Sequence, residues 1–332
     1  MVLDRDNNRR VGDFNLVHII NSLDGDWVRT QMQNAISASV PVIVSELPFH
    51  NFECRKIREE FSKALIDYTE SGQAFCCPNF LSIPDISLHR YVEFDASIKE
   101  AKALILYGFD SSHPPHIGDD LCKELHVINL GIFEDLVAGK NETIATETAK
   151  SEFTKNFGAK DFVLCVADFA PHNNQLMLLL ALEHLNLPLV LISRQSKHAS
   201  RYAKAVSSFH RNSITRIIEL ADDDTILKAL LAARVHALIA WNEPVDAMNL
   251  HAVMKGCNVV ASKNTALSHM LQGNGVYYCN QGDKNAINNA INAAYYAPMP
   301  QNAFLNLAPN KIPTWQETIE QTLQVYKNVL FR

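Results

Sequence analysis

The sequence lacks several features that would place it in large functional classes. There is no basic excess: 30 Lys and Arg stand against 36 Asp and Glu, a formal charge of −6. A duplex-nucleic-acid binder needs positive charge to replace the counterions that phosphates shed, so no nucleic-acid partner is expected. No CxxC pair occurs among the seven cysteines, Cys54, Cys76, Cys77, Cys122, Cys165, Cys257 and Cys279, which argues against a zinc ribbon or a dithiol redox motif. Several lie inside apolar runs such as FVLCV and VYYC, the setting of buried free thiols in a reducing compartment. The opening MVLDRDNNRR is charged and has no apolar signal-peptide core, so a cytoplasmic location is expected. The most apolar stretch, LMLLLALEHLNLPLVLIS, is broken by Glu183, His184, Asn186 and Pro188 and reads as helix–turn–strand, not as a membrane span. His113 and His116 are closely spaced but have no evident third ligand, and no metal site is expected there. No internal repeat or low-complexity segment is evident.

What is present is an ordinary globular balance over 332 residues, 47% hydrophobic and 20% charged. That length suggests about two domains, with a core large enough to need no staples. The second half alternates. Short runs rich in Val, Ile and Leu fall at 162–168, 187–193, 213–220, 236–242, 258–263 and 276–279. Most are apolar on both faces, as the strands of a parallel sheet covered by helices must be. Helical runs separate them. One has Asn173 and Asn174 as N-cap candidates, one opens on Asp222, Asp223 and Asp224, one ends at Gly256, and one runs from Asp283 to Pro298. This is the pattern of a doubly wound α/β domain.

The first half repeats the pattern more weakly, with strands expected at 14–20, 41–46, 103–108 and 126–130 and a charged helix over 53–70. The polar stretch 138–156 reads as a surface linker and marks a domain boundary. The expected division is 1–150, 151–312 and a closing helix over 313–332. That helix opens with a capping box, Thr314 to Glu317. Trp315, Ile319, Leu323, Tyr326 and Leu330 lie on one face, which is expected to pack inward with Trp315 buried.

From about Val127 onward, several segments in order resemble the GT-B glycosyltransferases of family four. HVINLGI is similar to that family's "V-I-P-N-G-V-D" strand. FTKNFGAKDFVLCVADFAPHNNQ is similar to its "F-V-G-R-x-x-P-x-K-N" turn. EPVDAMNLHAVMKGCNVVASKNTALSHML is similar to "E-G-F-G-L-P-x-L-E-A-M-A-x-G-x-P-V-V-A-S" and its continuation. GNGVYYCNQGDKNAINNAI and TWQETIEQTLQVY are similar to the segments that close the domain. In the N-terminal half, FNLVHIINSL and PVIVSE resemble two strands from the middle of the family's first domain, without the glycine-rich turn that normally precedes them. The resemblance implies an α/β fold of two facing doubly wound Rossmann-like domains with a trimmed first domain, the missing part being absent or supplied by another chain.

The resemblance also implies site residues. A departing nucleoside diphosphate gathers negative charge and needs cations and helix N-termini aimed at it. The family's Arg and Lys in the "G-R-x-x-x-x-K-N" turn align with Asp168 and Asn173, so both cations are replaced. Glu243 aligns with the Glu beside the donor sugar. His251 aligns with the Glu that binds the ribose. Pro244 and Asp246 stand where the family has the glycines of "E-G-F-G". Arg194 and Lys197 follow the second strand of the donor domain, at the edge where doubly wound sheets bind ligands. Lys263 and Asn264 precede another helix, whose N-terminus suits a phosphate.

Two functions follow from the resemblance. The first is a sugar transferase that uses a nucleoside-diphosphate sugar, retains configuration, requires no metal cofactor and acts on a glycan, lipid or protein acceptor. Loose peripheral membrane contact is compatible with it. The second is a catalytically degenerate relative that serves as partner, scaffold or sugar-binding subunit of an active glycosyltransferase. The lost cations and glycines point to the second.

Overall fold

A computed structural model describes residues 10–20, 25–46, 52–72, 75, 99–108, 124–129, 131, 142–194, 200–241, 247–263, 275–299 and 314–331. Its strands are β1 Val17–Ile20, β2 Val42–Glu46, β3 Ala103–Gly108, β4 Leu125–Asn129, β5 Val163–Val166, β6 Leu189–Ile192, β7 Thr215–Ile218, β8 Val235–Leu238, β9 Asn258–Ser262 and β10 Val276–Cys279. Its helices are α1 Gly25–Ser37, α2 Phe52–Ser71, α3 Glu142–Phe157, α4 Gln175–Ala181, α5 Arg201–Ser208, α6 Asp223–Ala232, α7 Ala247–Met254, α8 Lys284–Tyr296 and α9 Trp315–Leu330. The chain forms two units. One comprises Met1–Asn51, His89–Ile132 and Ile312–Arg332; the other comprises Phe52–Leu88 and Phe133–Lys311.

The first unit is a four-stranded parallel sheet in the order β1-β2-β3-β4. Its central strands are apolar on both faces because each face is covered. On one side α1 brings Val28, Met32 and Ala35, spaced at helical intervals, onto Ile19, Val42, Val44, Leu104 and Leu106. On the other, α9 brings Val325 onto Ile43, Ile105 and Ile128. The capping box at Thr314 and Glu317 is formed. Gly131 lies so close to the Thr314 backbone that a Cβ would overlap it, which is why a side chain is not tolerated there.

The face that α9 turns inward is not the apolar stripe expected from the sequence. Trp315 is 36% exposed, Ile319 54% and Leu323 46%, whereas Thr318 and Val325 are buried. The reason is polar docking. The Thr318 and Thr322 hydroxyls donate to the carbonyls one turn back, at Thr314 and Thr318. Thr322 also bonds the Tyr107 hydroxyl of β3 at 3.2 Å, and the Tyr326 hydroxyl bonds His18 Nδ1 of β1 at 2.5 Å. Satisfied hydroxyls let a residue that looks polar in sequence line the packed face. His18 is pushed down to about 4 by burial.

The second unit is a six-stranded parallel sheet, β10-β9-β8-β5-β6-β7. The chain enters at β5, runs outward through β6 and β7, then returns to the other side of β5 through β8, β9 and β10. This is the doubly wound order, and the reversal lies between β5 and β8. The helix N-termini follow the chemistry expected. Asp222 accepts from the Thr225 N–H, and Asp283 accepts from the Asn285 and Ala286 N–H groups. Gly256, at φ +81°, ends the turn after α7.

Two expectations fail in this unit. Residues 142–157 form helix α3, not a linker. Phe153 is buried and stacks on Phe162 with ring centroids 5.2 Å apart, and Glu152 pairs with Lys228 of α6 at 2.9 Å. One buried aromatic in a polar stretch was enough to tie it down. Helix α2, from the N-terminal third of the sequence, belongs to this unit. Its Ile57, Phe61, Leu65 and Ile66 join the core formed by α4, α5 and Trp241.

Candidate functional site

Parallel strands leave their carboxyl ends aimed at one edge, and at a point of reversal the helices diverge to opposite faces and open a crevice there. Here the opening is visible in the ladder itself. Strands β5 and β8 pair only through Val163–Val235 and Leu164–His236. Beyond that the Val166 N–H has no strand partner and donates to His236 Nε2 at 3.4 Å. The His236 Nδ1 lies 2.7 Å from Asn249 Oδ1 of α7, and Asn249 in turn donates to the Leu238 carbonyl. With Nε2 accepting, Nδ1 carries the proton, so the imidazole is neutral. Burial pushes its pKa down to about 4, against the Asn249 hydrogen bond, which raises it.

The carboxyl ends of β5, β8, β9 and β10 are joined by a buried polar network. Asn174 sits in the left-handed region at φ +59°. Its Nδ2 donates to the Ile239 carbonyl at 3.1 Å and to the Gln281 carbonyl at 2.9 Å. Its Oδ1 accepts from the Trp241 indole N–H at 3.0 Å. Gln281 accepts from the Ser262 hydroxyl at 2.9 Å. Trp241 is fully buried and lies against Phe61 of α2, ring centroids 5.0 Å apart. Asn174 was expected to cap α4; its side chain makes no cap bond and ties strand ends together instead.

The residues expected to contact donor are arranged as follows. Asp168 leaves β5 with its carboxylate accepting from the Ser193 hydroxyl at 3.0 Å. Its backbone carbonyl accepts from both Asn173 Nδ2 and Gln175 Nε2 at 2.8 Å. Asn173 is therefore spent closing the turn. Arg194 is an exposed residue after β6, paired with Asp223 Oδ1 at 2.5 Å. His251 is buried on α7, its Nε2 has no hydrogen-bond partner among the described residues, and burial together with the charges of Lys255 and Arg194 pushes its pKa down to about 4. Lys263 ends β9 in an exposed turn, its backbone N–H donating to the Cys279 carbonyl at 3.0 Å. Glu243, Lys197 and Asn264 lie outside the described residues, as do His113 and His116.

The structure thus brings Asp168 and Asn173 together on one turn, and places Arg194 and His251 within electrostatic reach of each other. No motif or spacing in the sequence signals His236 or Gln281. Trp241 was legible only as the residue closing an apolar run beside Asn242 and Glu243. Among the described residues, no group of three or more His, Cys, Asp or Glu side chains could hold a metal ion. Among them too, no helix is long and apolar enough to cross a membrane.

No protein-family model matches the sequence. Neither does any curated protein. Solved structures do match in fold. A sucrose-phosphate synthase from Thermosynechococcus elongatus superposes with a TM-score of 0.63 at 15% identity, over 96% of this chain and 74% of that one. HepE from Anabaena in complex with UDP-glucose gives 0.62 at 13% identity, over 96% and 80%. The catalytic domain of starch synthase IV from Arabidopsis thaliana, bound to ADP and acarbose, gives 0.60 at 13%, over 96% and 73%. With two parallel α/β units, a doubly wound second sheet and a C-terminal helix returning to the first, the chain has the GT-B fold.

Proposed function

We propose that the chain is a glycosyltransferase that takes a sugar from a nucleoside diphosphate and transfers it, with retention, to a glycan, lipid or protein acceptor. The observation that carries this reading is the β5–β8 reversal of a doubly wound sheet, the point where such sheets bind ligands, with polar side chains gathered from several strand ends. It occurs in a fold whose solved examples include HepE with UDP-glucose. In this reading Glu243 lies against the donor sugar and steadies the positive charge that develops as the glycosidic bond breaks. The Nε2 of His251, unpartnered among the described residues, meets a ribose hydroxyl; a neutral imidazole can donate or accept there. Arg194, Lys197 and Lys263, with Asn264, supply the polar and positive field for the diphosphate, so no metal ion is invoked. Asp168 and Asn173 shape the turn. The three described free thiols, Cys165, Cys257 and Cys279, are all buried and agree with a cytoplasmic protein, with peripheral membrane contact where the acceptor is a lipid.

One observation favours a second reading, a degenerate transferase that partners an active one. Asn173 and Asp168 satisfy each other and Ser193, and neither presents a positive charge to the crevice.

Calorimetric titration with UDP, GDP and their sugars separates the two. For a transferase, wild type binds a nucleotide and Glu243→Gln lowers turnover by about 10²-fold or more, the scale of one preorganised electrostatic group. The double variant Asp168→Arg with Asn173→Lys then disturbs an adapted site and weakens binding. For the degenerate partner, wild type shows no binding and the double variant acquires it. A flat wild-type response to the whole donor panel removes the transferase reading.

A further inference from the structure

A second concave site lies at the opposite end of the same two strands. It is a cavity of about 650 Å³ bounded by α3, the residues that lead into β5, and those between α6 and β8. That volume suits a small molecule. Lys150, Lys155, Lys160 and Arg234 contribute four cations to its lining, against the carboxylates of Glu147 and Asp161. The local excess is positive in a chain whose formal charge is −6.

Several cations of this unit are paired with carboxylates: Arg194 with Asp223, Arg201 with Asp67 and Glu70, Lys228 with Glu152 and Asp224. At the cavity Lys150 pairs with Glu147 at 3.0 Å. Lys155, Lys160 and Arg234 form no ion pair with any described residue. Arg234 is nevertheless held in place by neutral groups. Its guanidinium donates to the Tyr295 carbonyl and, at 3.3 Å, to the Ala297 carbonyl, and stands 5.5 Å from the Tyr295 ring centroid. A charge fixed in position without a counter-charge attracts an anion with little reorganisation. The hydroxyl of Ser151 and that of Thr154, the latter donating to the Ala159 carbonyl at 3.1 Å, add polar contacts at the same wall.

We propose that this cavity, at the amino ends of β5 and β8, binds a small molecule that carries a phosphate or diphosphate group, with Lys155, Lys160 and Arg234 as its counter-charges. The site is independent of the donor reading, because it lies at the far ends of β5 and β8 from the reversal crevice. Asp161 marks its selectivity: a carboxylate at the wall disfavours anions that come too close to it.

The test uses the full chain and two probes, inorganic phosphate and pyrophosphate, titrated calorimetrically at low and high salt. Pyrophosphate binds more tightly than phosphate, and binding weakens with salt, as expected where charge carries it. Lys155→Gln with Lys160→Gln weakens pyrophosphate binding by about tenfold or more, and Asp161→Asn strengthens it by a few fold, on the Coulomb scale of near-surface pairs. The lysines are exposed, and an unchanged melting temperature shows that the variant is folded. UDP added to saturation leaves pyrophosphate affinity unchanged, which separates this site from the donor crevice. Co-sedimentation with phosphatidic-acid vesicles identifies the source: pyrophosphate binding without sedimentation assigns a soluble ligand, and sedimentation abolished by the lysine substitutions assigns a lipid phosphate. The proposal is overturned if neither probe nor vesicle binds, or if the lysine variant binds as wild type does.

Discussion

The two ends of the six-stranded sheet solve the problem of polar groups in opposite ways. At the carboxyl ends of β5, β8, β9 and β10 a network of neutral, buried polar side chains, Asn174, Trp241, Gln281 and Ser262, ties the strand ends together, with His236 bonded to Asn249 beside it. At the amino ends of β5 and β8 they are charged, and three of the cations lack a counter-charge among the described residues. Neutral buried networks fix a geometry, because every broken bond leaves a desolvated group. Unpaired surface cations fix little and leave a field available to a ligand. The GT-B resemblance implies cations at the first end. This chain has a carboxylate and an amide, Asp168 and Asn173, on that turn and keeps a cationic cavity at the other.

The largest effect that could break this contrast is loss of Trp241. It is fully buried, packs on Phe61 and donates to Asn174. Trp241→Ala should cost about 3–5 kcal/mol in denaturant unfolding. A loss below about 1 kcal/mol would mean that the carboxyl end is not a packed network. Next comes pH. His236 is held near 4 in the folded chain and returns to about 6.5 when unfolded. Between those values the unfolded state binds more protons, so stability rises with pH. The His236 contribution is complete above about pH 6.5 and is lost as pH falls toward 4, by roughly 3 kcal/mol at full effect. Unfolding midpoints at pH 7 and 4.5 should differ, and His236→Gln should flatten the slope; an unchanged slope would assign it elsewhere, to His18 or His251, which are also held near 4.

A smaller loss is expected from Asn174→Ala, about 1–3 kcal/mol, for unpaired groups at Ile239, Gln281 and Trp241. Asn174→Gly keeps the left-handed backbone at φ +59° and removes the amide; equal losses in the two variants assign the cost to the hydrogen bonds and none to backbone strain. The smallest effect belongs to the other end. Lys155→Gln and Lys160→Gln should leave stability within about 0.5 kcal/mol. A larger loss there would show that the amino-end cations are structural and erase the contrast.

The sheets were legible because buried parallel strands are continuous apolar runs, and every run expected overlaps an observed strand. Helix faces were harder. Periodicity shows that α2 has an apolar side but not which sheet receives it. On α9 the threonines hide their hydroxyls against the preceding turn, so Thr318 is buried while Trp315 is partly exposed. Polar composition also misled at α3, where Phe153 anchors a helix that otherwise reads as solvated. Motif alignment singled out Asp168, Asn173 and His251 as candidates near the strand ends. It could not reach Gln281 or His236, whose importance comes from strand ends that meet only after the sheet is assembled.

The membership of α2 in the second unit has a consequence for synthesis. When Ile57, Phe61 and Leu65 leave the ribosome, their partner Trp241 is still about 180 residues away. At about 5–20 residues per second, roughly ten to thirty seconds pass before that ring exists. During that interval a nascent amphipathic helix shows an oily stripe to solvent, which makes it a binding target for chaperones. A ribosome-stalled chain ending near residue 150 should therefore recruit such holdases through Phe61, and a stalled full-length chain with its second sheet free of the exit tunnel should release them.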